Sequence, residues 1–333
     1  MQQLKYLFLF LVTAFAFLHC VNITDGYQGT EQLNTALSSS CSVNEAYYQG
    51  IDTCLTNNAF KSELQKRLRG QRVLRYTENT EPFSAYFTKK FMTLSNVGYP
   101  VEKRFDVWDA YVIFAEKAAN PVTGCAQGEL YDYYDGQCYI TPTEIMSVSS
   151  GGDQNTYNRE HSWPKSWFAA GATPVNDAAQ GKYCYNGNGE GISWDTAKNW
   201  DFRAFTDLHH LIPSRDSVNT SRSNYSYGVV DVNEGGFPSG NNSKFGSPKT
   251  ADMPGFIAGA TTTKVFEPPA NLKGDIARNY FYMATRYYTE DGCWNSNEAV
   301  TRANINKWLE DLLRQWHTAD PVSQGERDRN DWI

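Results

Sequence analysis

The chain has 333 residues, enough to bury a substantial core in one domain without demanding two. A hydrophobic content of 41% with 14% aromatics excludes an intrinsically disordered protein. The formal net charge of −7 excludes binding of polyanions through overall charge, so any such attraction must come from local basic patches or a bound cation.

The first residues read as an export signal. Lys5 precedes the apolar run from Leu7 to Leu18, which is short for a membrane span of about 20 residues, and His19-Cys20 follow where cleavage is expected. The organisation expected is a signal at 1–20, a polar, Ser-rich leader at 21–45 and one domain over 46–333. No later segment is long and apolar enough to span a bilayer, so no stable membrane association is expected once the signal is removed.

Residues 58–69 predict a helix with Phe60, Leu64 and Leu68 on one stripe and Gly70 as its stop. Its basic residues, from Lys61 to Arg72 and on to Arg75, fit either a solvated face or a phosphate-contacting one. Val107, Tyr111, Phe114, Ala115 and Ala118 predict a second helix, ended by Asn120-Pro121. Tyr131 to Ile140 predicts a hairpin turning at Asp135-Gly136. The Gly-, Pro-, Ser- and Asn-rich stretch 231–255 predicts a long surface excursion. In the last third, Ile276, Ala277, Tyr280, Phe281, Ala284 and Tyr288 form one helical face. Val300, Ala303, Leu309, Leu312, Leu313 and Trp316 form another, ended by Asp320-Pro321. The pattern is one α+β domain with insertions.

Removal of the signal takes Cys20 with it and leaves Cys41, Cys54, Cys125, Cys138, Cys184 and Cys293. An even set in an exported chain predicts disulfides, with 15 pairings open. Cys41 with Cys54 and Cys125 with Cys138 are favoured because each closes a short loop, which leaves Cys184 with Cys293. A zinc site competes, without a Cys-x-x-Cys spacing to support it.

Two polar runs carry the chemistry. Asn158-Arg159-Glu160-His161-Ser162-Trp163-Pro164-Lys165-Ser166 sets a carboxylate beside an imidazole, between cations. Asp207-Leu208-His209-His210-Leu211-Ile212-Pro213 leads on to Asn219 in a predicted short helix or turn. Metal-assisted phosphodiester hydrolysis needs such a set. Glu160 and Asn219 offer an anionic and a neutral oxygen ligand to a hard cation such as Mg²⁺. His161 is a candidate general base, since an imidazole is largely neutral near pH 7. Adjacent residues of an extended strand point to opposite faces, so Glu160 and His161 meet one substrate only if the chain bends, or if metal and water lie on different sides of the phosphate. Arg159, Lys165, Arg215, Arg222 and Arg278 are the candidate nucleic-acid contacts. His209 and His210 fit either zinc ligation or structural hydrogen bonding.

Asn158 to Ser166 resembles the signature of the endonuclease I family, secreted and periplasmic nonspecific nucleases. Further blocks follow in the family's order: Asp207–Pro213 with Val218-Asn219 and Arg222–Tyr225, then Lys273–Met283, then Trp316 with Asp320–Ser323 and Glu326–Asn330. The resemblance implies a ββα-metal (His-Me finger) core, a strand pair followed by a helix around one cation. It implies His161 as general base, Glu160 and Asn219 as Mg²⁺ ligands, and cleavage of DNA, RNA or both with little sequence preference, leaving 5′-phosphate ends. It makes 78–105 and 231–255 insertions. A secreted monomer acting on nucleic acid is the expectation. The alternatives are a metal-independent secreted ribonuclease and a catalytically inactive secreted nucleic-acid or glycan binder.

Overall fold

The computed structural model describes residues 51–52, 55, 57–68, 111, 125–126, 129–136, 138–140, 157–168, 176–177, 182–183, 204, 207–235, 243–257, 263–291 and 294–332. The expected signal and leader lie outside them, as does all of the helix expected around 107–118 except Tyr111.

Helix α1 (Asn57–Leu68) buries Phe60, Leu64 and Leu68, the stripe that its spacing predicts. The hairpin forms where expected: β1 (Glu129–Tyr131) pairs antiparallel with β2 (Cys138–Ile140). Its turn is built by Asp132, whose Oδ1 accepts the backbone N–H groups of Tyr134 (2.6 Å) and Asp135 (3.0 Å). Gly136 takes the left-handed conformation (φ 72°) that closes the turn. Cys125 and Cys138 are joined in a disulfide across this loop, Cα to Cα 5.4 Å, the pairing favoured from its short span. Cys41, Cys54, Cys184 and Cys293 lie outside the described residues.

The central unit is strand, strand, helix. Strand β3 (Tyr157–His161) is followed by the short pair β4 (Asn176–Asp177) and β5 (Lys182–Tyr183). The chain then returns as β6 (Leu211–Arg215), antiparallel to β3, with Glu160 opposite Ile212 and His161 opposite Leu211. Helix α2 (Asp216–Arg222) starts where β6 ends and packs on both strands. Seven residues do not hold a helix alone. Burial of Val218 and Arg222 anchors this one, and Asp216 places a negative charge in its first turn.

Strand β7 (Val230–Asn233) pairs antiparallel with β8 (Lys244–Pro248), and β8 with β9 (Val265–Glu267), in a three-stranded sheet. The two ends of the stretch expected as a surface excursion, 231–255, thus carry strands, and 236–242 lie outside the described residues. Gly246 serves close backbone approach within the sheet: a Cβ on it would lie 1.9 Å from the Val232 carbonyl oxygen.

Helix α3 (Lys273–Arg286), the hairpin β10 (Val300–Thr301) and β11 (Asn304–Ile305), helix α4 (Lys307–Ala319) and helix α5 (Gln324–Trp332) complete the described chain. Ile276, Ala277, Tyr280 and Ala284 of α3 are buried, as are Leu309, Leu312, Leu313 and Trp316 of α4. Val300 and Ala303 are buried too, but in the hairpin and not on the helix: the apolar period runs through a turn that Arg302 makes at φ 55°. Helix α1 packs against α3, and Gln65 Nε2 donates to the Arg286 carbonyl (3.2 Å). Lys61 turns inward. It donates to Asn304 Oδ1 (3.1 Å) and lies over the Tyr288 ring, and burial lowers its pKa to about 8. Lys66 is exposed beside Glu63. Within α1 the basic run is therefore split, with Lys61 turned into the fold and Lys66 at the surface. No helix among the described residues is long and apolar enough to cross a membrane.

Candidate active site

The turn between β1 and β2 docks onto β6. The Tyr133 N–H donates to the Pro213 carbonyl (3.4 Å), the Arg215 N–H bonds Asp132 Oδ2, and the Arg215 Nε lies 3.5 Å from Asp135 Oδ2. This docking carries Tyr134 to Glu160.

Glu160 is 3% exposed. Two contacts fall on its Oε1: the Tyr134 hydroxyl donates to it at 2.9 Å, and the Arg222 Nε lies 3.2 Å away, an ion pair more than an aligned hydrogen bond. Burial pushes the Glu160 carboxyl up to about 7, against the pull of Arg222 and Tyr134. Arg222 is fully buried. Its two terminal nitrogens donate to the carbonyls of Ser162 (2.7 Å) and Ser223 (2.9 Å), and its guanidinium lies 4.7 Å from the centre of the Tyr227 ring. Asn219 is half-buried on α2, three residues before Arg222. Residues three apart share a helix face, so Asn219 stands on the side of α2 that grips Glu160.

His161 is 4% exposed at the end of β3. By strand alternation it faces away from Glu160, and its ring centre lies 5.4 Å from that of His210. The ladder continues one residue further, where the Ser162 N–H donates to the His210 carbonyl (3.0 Å). The backbone then turns through Trp163, which is fully buried against Trp167, Tyr280 and Trp294. That packing fixes where the strand ends.

The second polar run is a tether. Asp207 accepts the Tyr282 and Tyr287 hydroxyls on Oδ2, both at 2.8 Å, and holds the His209 Nδ1 at 2.9 Å on Oδ1. His209 stacks on Tyr282 with centroids 4.1 Å apart. His210 Nε2 lies 2.6 Å from the Ala204 carbonyl, which only accepts, so Nε2 carries the proton. His161, His209 and His210 do not converge as a zinc site. Among the described residues the one convergent trio of ligand types is Cys125, Glu129 and Cys138, and two of these share the disulfide and offer no thiolate.

His210 contributes an acid-sensitive share of the stability. Burial, outweighing the pull of Asp207, lowers its pKa to about 4. An unfolded imidazole titrates near about 6.5, so between these values the unfolded chain binds the extra proton. The His210 contribution to stability is therefore full above about pH 6.5 and is lost as the pH falls towards 4, by up to about 3 kcal/mol. Glu160 and Asp132, whose carboxyls burial pushes up to about 7, act in the opposite direction over this range, so the contribution is read against a variant. Between pH 7 and 4.5 the urea midpoint of His210→Gln, which keeps a donor for Ala204 without titrating, should gain on that of wild type. An unchanged difference between the two proteins would remove His210 as a cause.

The structure redistributes the expected nucleic-acid contacts. Lys165 is exposed, at the start of a 3₁₀ turn over Lys165–Trp167, and Arg159 is half-buried on β3. Arg215 is turned to Asp135. Arg222 and Arg278 are corrections. Arg222 is sealed into the cluster around Glu160. Arg278, 2% exposed, is held by Glu326 (2.5 and 2.6 Å), Asp275 (2.8 Å), the Asp320 carbonyl (2.8 Å) and His317 Nδ1 (3.0 Å). It joins α3 to α5 and presents no free fork to a phosphate. From α5, Arg329 bonds the carbonyls of Leu208 and Leu211, and so ties the last helix to the start of β6. Tyr134, Tyr227 and the tether role of Asp207 escaped sequence reasoning; a lone Tyr or Asp carries no local signal of a partner distant in sequence.

Glu160 and His161 thus occupy neighbouring buried positions of β3, and Asn219 stands on the helix that packs on β3 and β6, within one strand–strand–helix unit. Residues 56–333 match the Endonuclease I family model, and the chain belongs to that family. It is 25% identical to an extracellular ribonuclease of Bacillus subtilis (strain 168) over 293 residues, 87% of this chain and 71% of the relative. It is 31% identical to an extracellular ribonuclease of Bacillus amyloliquefaciens over 190 residues, 55% of this chain and 48% of that relative. Family membership supports a nuclease.

Proposed function

We propose that this chain is a secreted, Mg²⁺-dependent endonuclease that hydrolyses phosphodiester bonds in DNA or RNA without sequence preference and leaves 5′-phosphate ends. One observation carries the reading: β3, β6 and α2 form a single unit bearing Glu160, His161 and the face of α2 that holds Asn219. That order of elements supports a ββα-metal core. The extracellular ribonuclease names of the relatives support export and a nucleic-acid substrate.

The donors suit a hard cation. Glu160 and Asn219 would hold it through oxygen, with Tyr134 and Arg222 on Glu160 Oε1 fixing the carboxylate. When bound, Mg²⁺ offsets the negative charge of the phosphodiester and of the departing oxygen. His161 would take the proton of the attacking water. Lys165, exposed four residues on, would pair with a backbone phosphate.

The test is an end-group assay on plasmid DNA and on RNA, with Mg²⁺ and with chelator, for wild type and Asn219→Ala. Cleavage of one or both with Mg²⁺, 5′-phosphate ends, loss on chelation, and at least a tenfold loss in Asn219→Ala are expected. The relatives' names favour one rival, a metal-independent ribonuclease that uses the 2′-hydroxyl. Activity that survives chelator and leaves cyclic phosphates would establish it instead.

A further inference from the structure

We infer that Tyr134 is a positioning residue for the cation site, holding Glu160 by its Oε1 and so fixing how the carboxylate is presented. The inference rests on the reading that Glu160 is a metal ligand. It stands on four contacts. The Tyr134 hydroxyl, on a fully buried side chain, donates to Glu160 Oε1 at 2.9 Å. The same hydroxyl bonds the Tyr227 hydroxyl. The Tyr227 ring lies beneath the guanidinium of Arg222, whose Nε approaches Oε1 as well. A phenol has one proton. With Tyr134 donating to the carboxylate, the proton between the two phenols comes from Tyr227, and the donors run Tyr227 to Tyr134 to Glu160.

The geometry of this grip matters because a carboxylate rotates freely about its last bond. Donors on Oε1, together with the His161 backbone N–H that bonds the same carboxyl group, remove that freedom and fix its orientation. The donor types matter too. Arg222 brings a full positive charge, and another cation at Tyr134's place would compete with the metal for the same carboxylate. A neutral phenol orients Glu160 without cancelling its charge. The fold invests in this placement. Asp132 builds the turn that carries Tyr134, Ser243 Oγ donates to its carbonyl at 2.6 Å, and its ring lies 4.8 Å from that of Phe266 on β9. Tyr227 is fixed against the same strand by Phe266 N–H to Ser226 and Gly228 N–H to Phe266, both at 3.0 Å. Partners that orient metal ligands typically contribute about 10–100-fold in affinity or activity.

The experiment measures binding of Mn²⁺ alone to the full chain by calorimetry, in wild type, Glu160→Gln, Tyr134→Phe, Tyr227→Phe and Tyr287→Phe. Tyr134→Phe keeps the ring and deletes the hydroxyl, and with it the donor to Glu160 and the acceptor of Tyr227. It should bind Mn²⁺ about tenfold more weakly and raise the Mg²⁺ concentration for half-maximal cleavage by a similar factor. Tyr227→Phe should show a smaller loss in the same direction, and it carries the test if Tyr134→Phe does not fold. Tyr287→Phe, which removes an equally buried hydroxyl from Asp207 and not from Glu160, should bind as wild type does. Wild-type affinity in Tyr134→Phe or Tyr227→Phe, with Glu160→Gln impaired, overturns the positioning role and leaves the metal reading standing. Equal binding by Glu160→Gln and wild type overturns the metal reading, and the inference with it.

Discussion

His161→Ala should lower kcat/KM on plasmid DNA and on RNA by about 10²–10⁴-fold, the usual contribution of a positioned general base. The loss should be one of chemistry and not of folding. His161 closes β3, where backbone pairing to Leu211 and the following Ser162 to His210 bond fix the chain whatever the side chain is. The large packing anchor of this segment is Trp163, two residues on, whose ring lies among Trp167, Tyr280 and Trp294. The variant should therefore keep its secondary structure and a cooperative thermal transition. A bystander imidazole near the site would predict a small change in turnover instead. Wild-type turnover in His161→Ala would remove it from the mechanism, and Glu160 or a residue outside β3 would then have to supply the base.

The parts of the fold that were legible in sequence are those where a local rule has no competitor. The stripe Phe60, Leu64, Leu68 has one period, and it is buried on α1. Asp135-Gly136 sits between two short apolar runs, and Gly136 makes the turn. Where two signals overlapped, the local rule failed. Gly, Pro and Ser in 231–255 signal turns, yet Gly246 is needed within β8 because Val232 passes too close for any side chain. Val300 and Ala303 share the period of α4 but precede its start, and Lys307 opens the helix only after a hairpin.

The candidate site divides in the same way. Glu160 and His161 stand out because a carboxylate beside an imidazole, between Arg159 and Lys165, is a rare local pattern. Partners distant in sequence do not announce themselves. Tyr134 and Tyr227 are two of 21 tyrosines, and only the docking of the β1–β2 turn on β6 distinguishes Tyr134. Charge alone misled for Arg278. A cation in a helical block reads as a phosphate contact, whereas three carboxylate-bearing residues converge on it from α3, α5 and the segment between α4 and α5: Asp275, Glu326 and, through its carbonyl, Asp320. His209 and His210 likewise resemble ligands until Asp207 and the Ala204 carbonyl are seen to hold them.

Arg222→Met should destabilise the protein by about 3–5 kcal/mol, the range for removing one partner of a buried ion pair. The side chain is fully buried, and its loss strands Glu160 with the Tyr134 hydroxyl as its remaining donor of the two on Oε1. It also leaves the Ser162 and Ser223 carbonyls short of a donor, although Ser162 keeps the Tyr280 hydroxyl at 3.1 Å. Glu160, already pushed up to about 7 by burial, should then take up a proton and remain neutral across a wider pH range. That predicts a specific second result. Above the pH at which Glu160 stays protonated, the double variant Arg222→Met with Glu160→Gln should recover part of the lost stability, because no uncompensated charge is left inside, and should fall short of wild type by the cost of the two carbonyls. Urea unfolding of the four proteins gives the coupling directly. If the single and double variants were equally unstable, the ion pair would not be what Arg222 contributes. Its stabilising role would then lie in its hydrogen bonds to Ser162 and Ser223, which join the end of β3 to the end of α2.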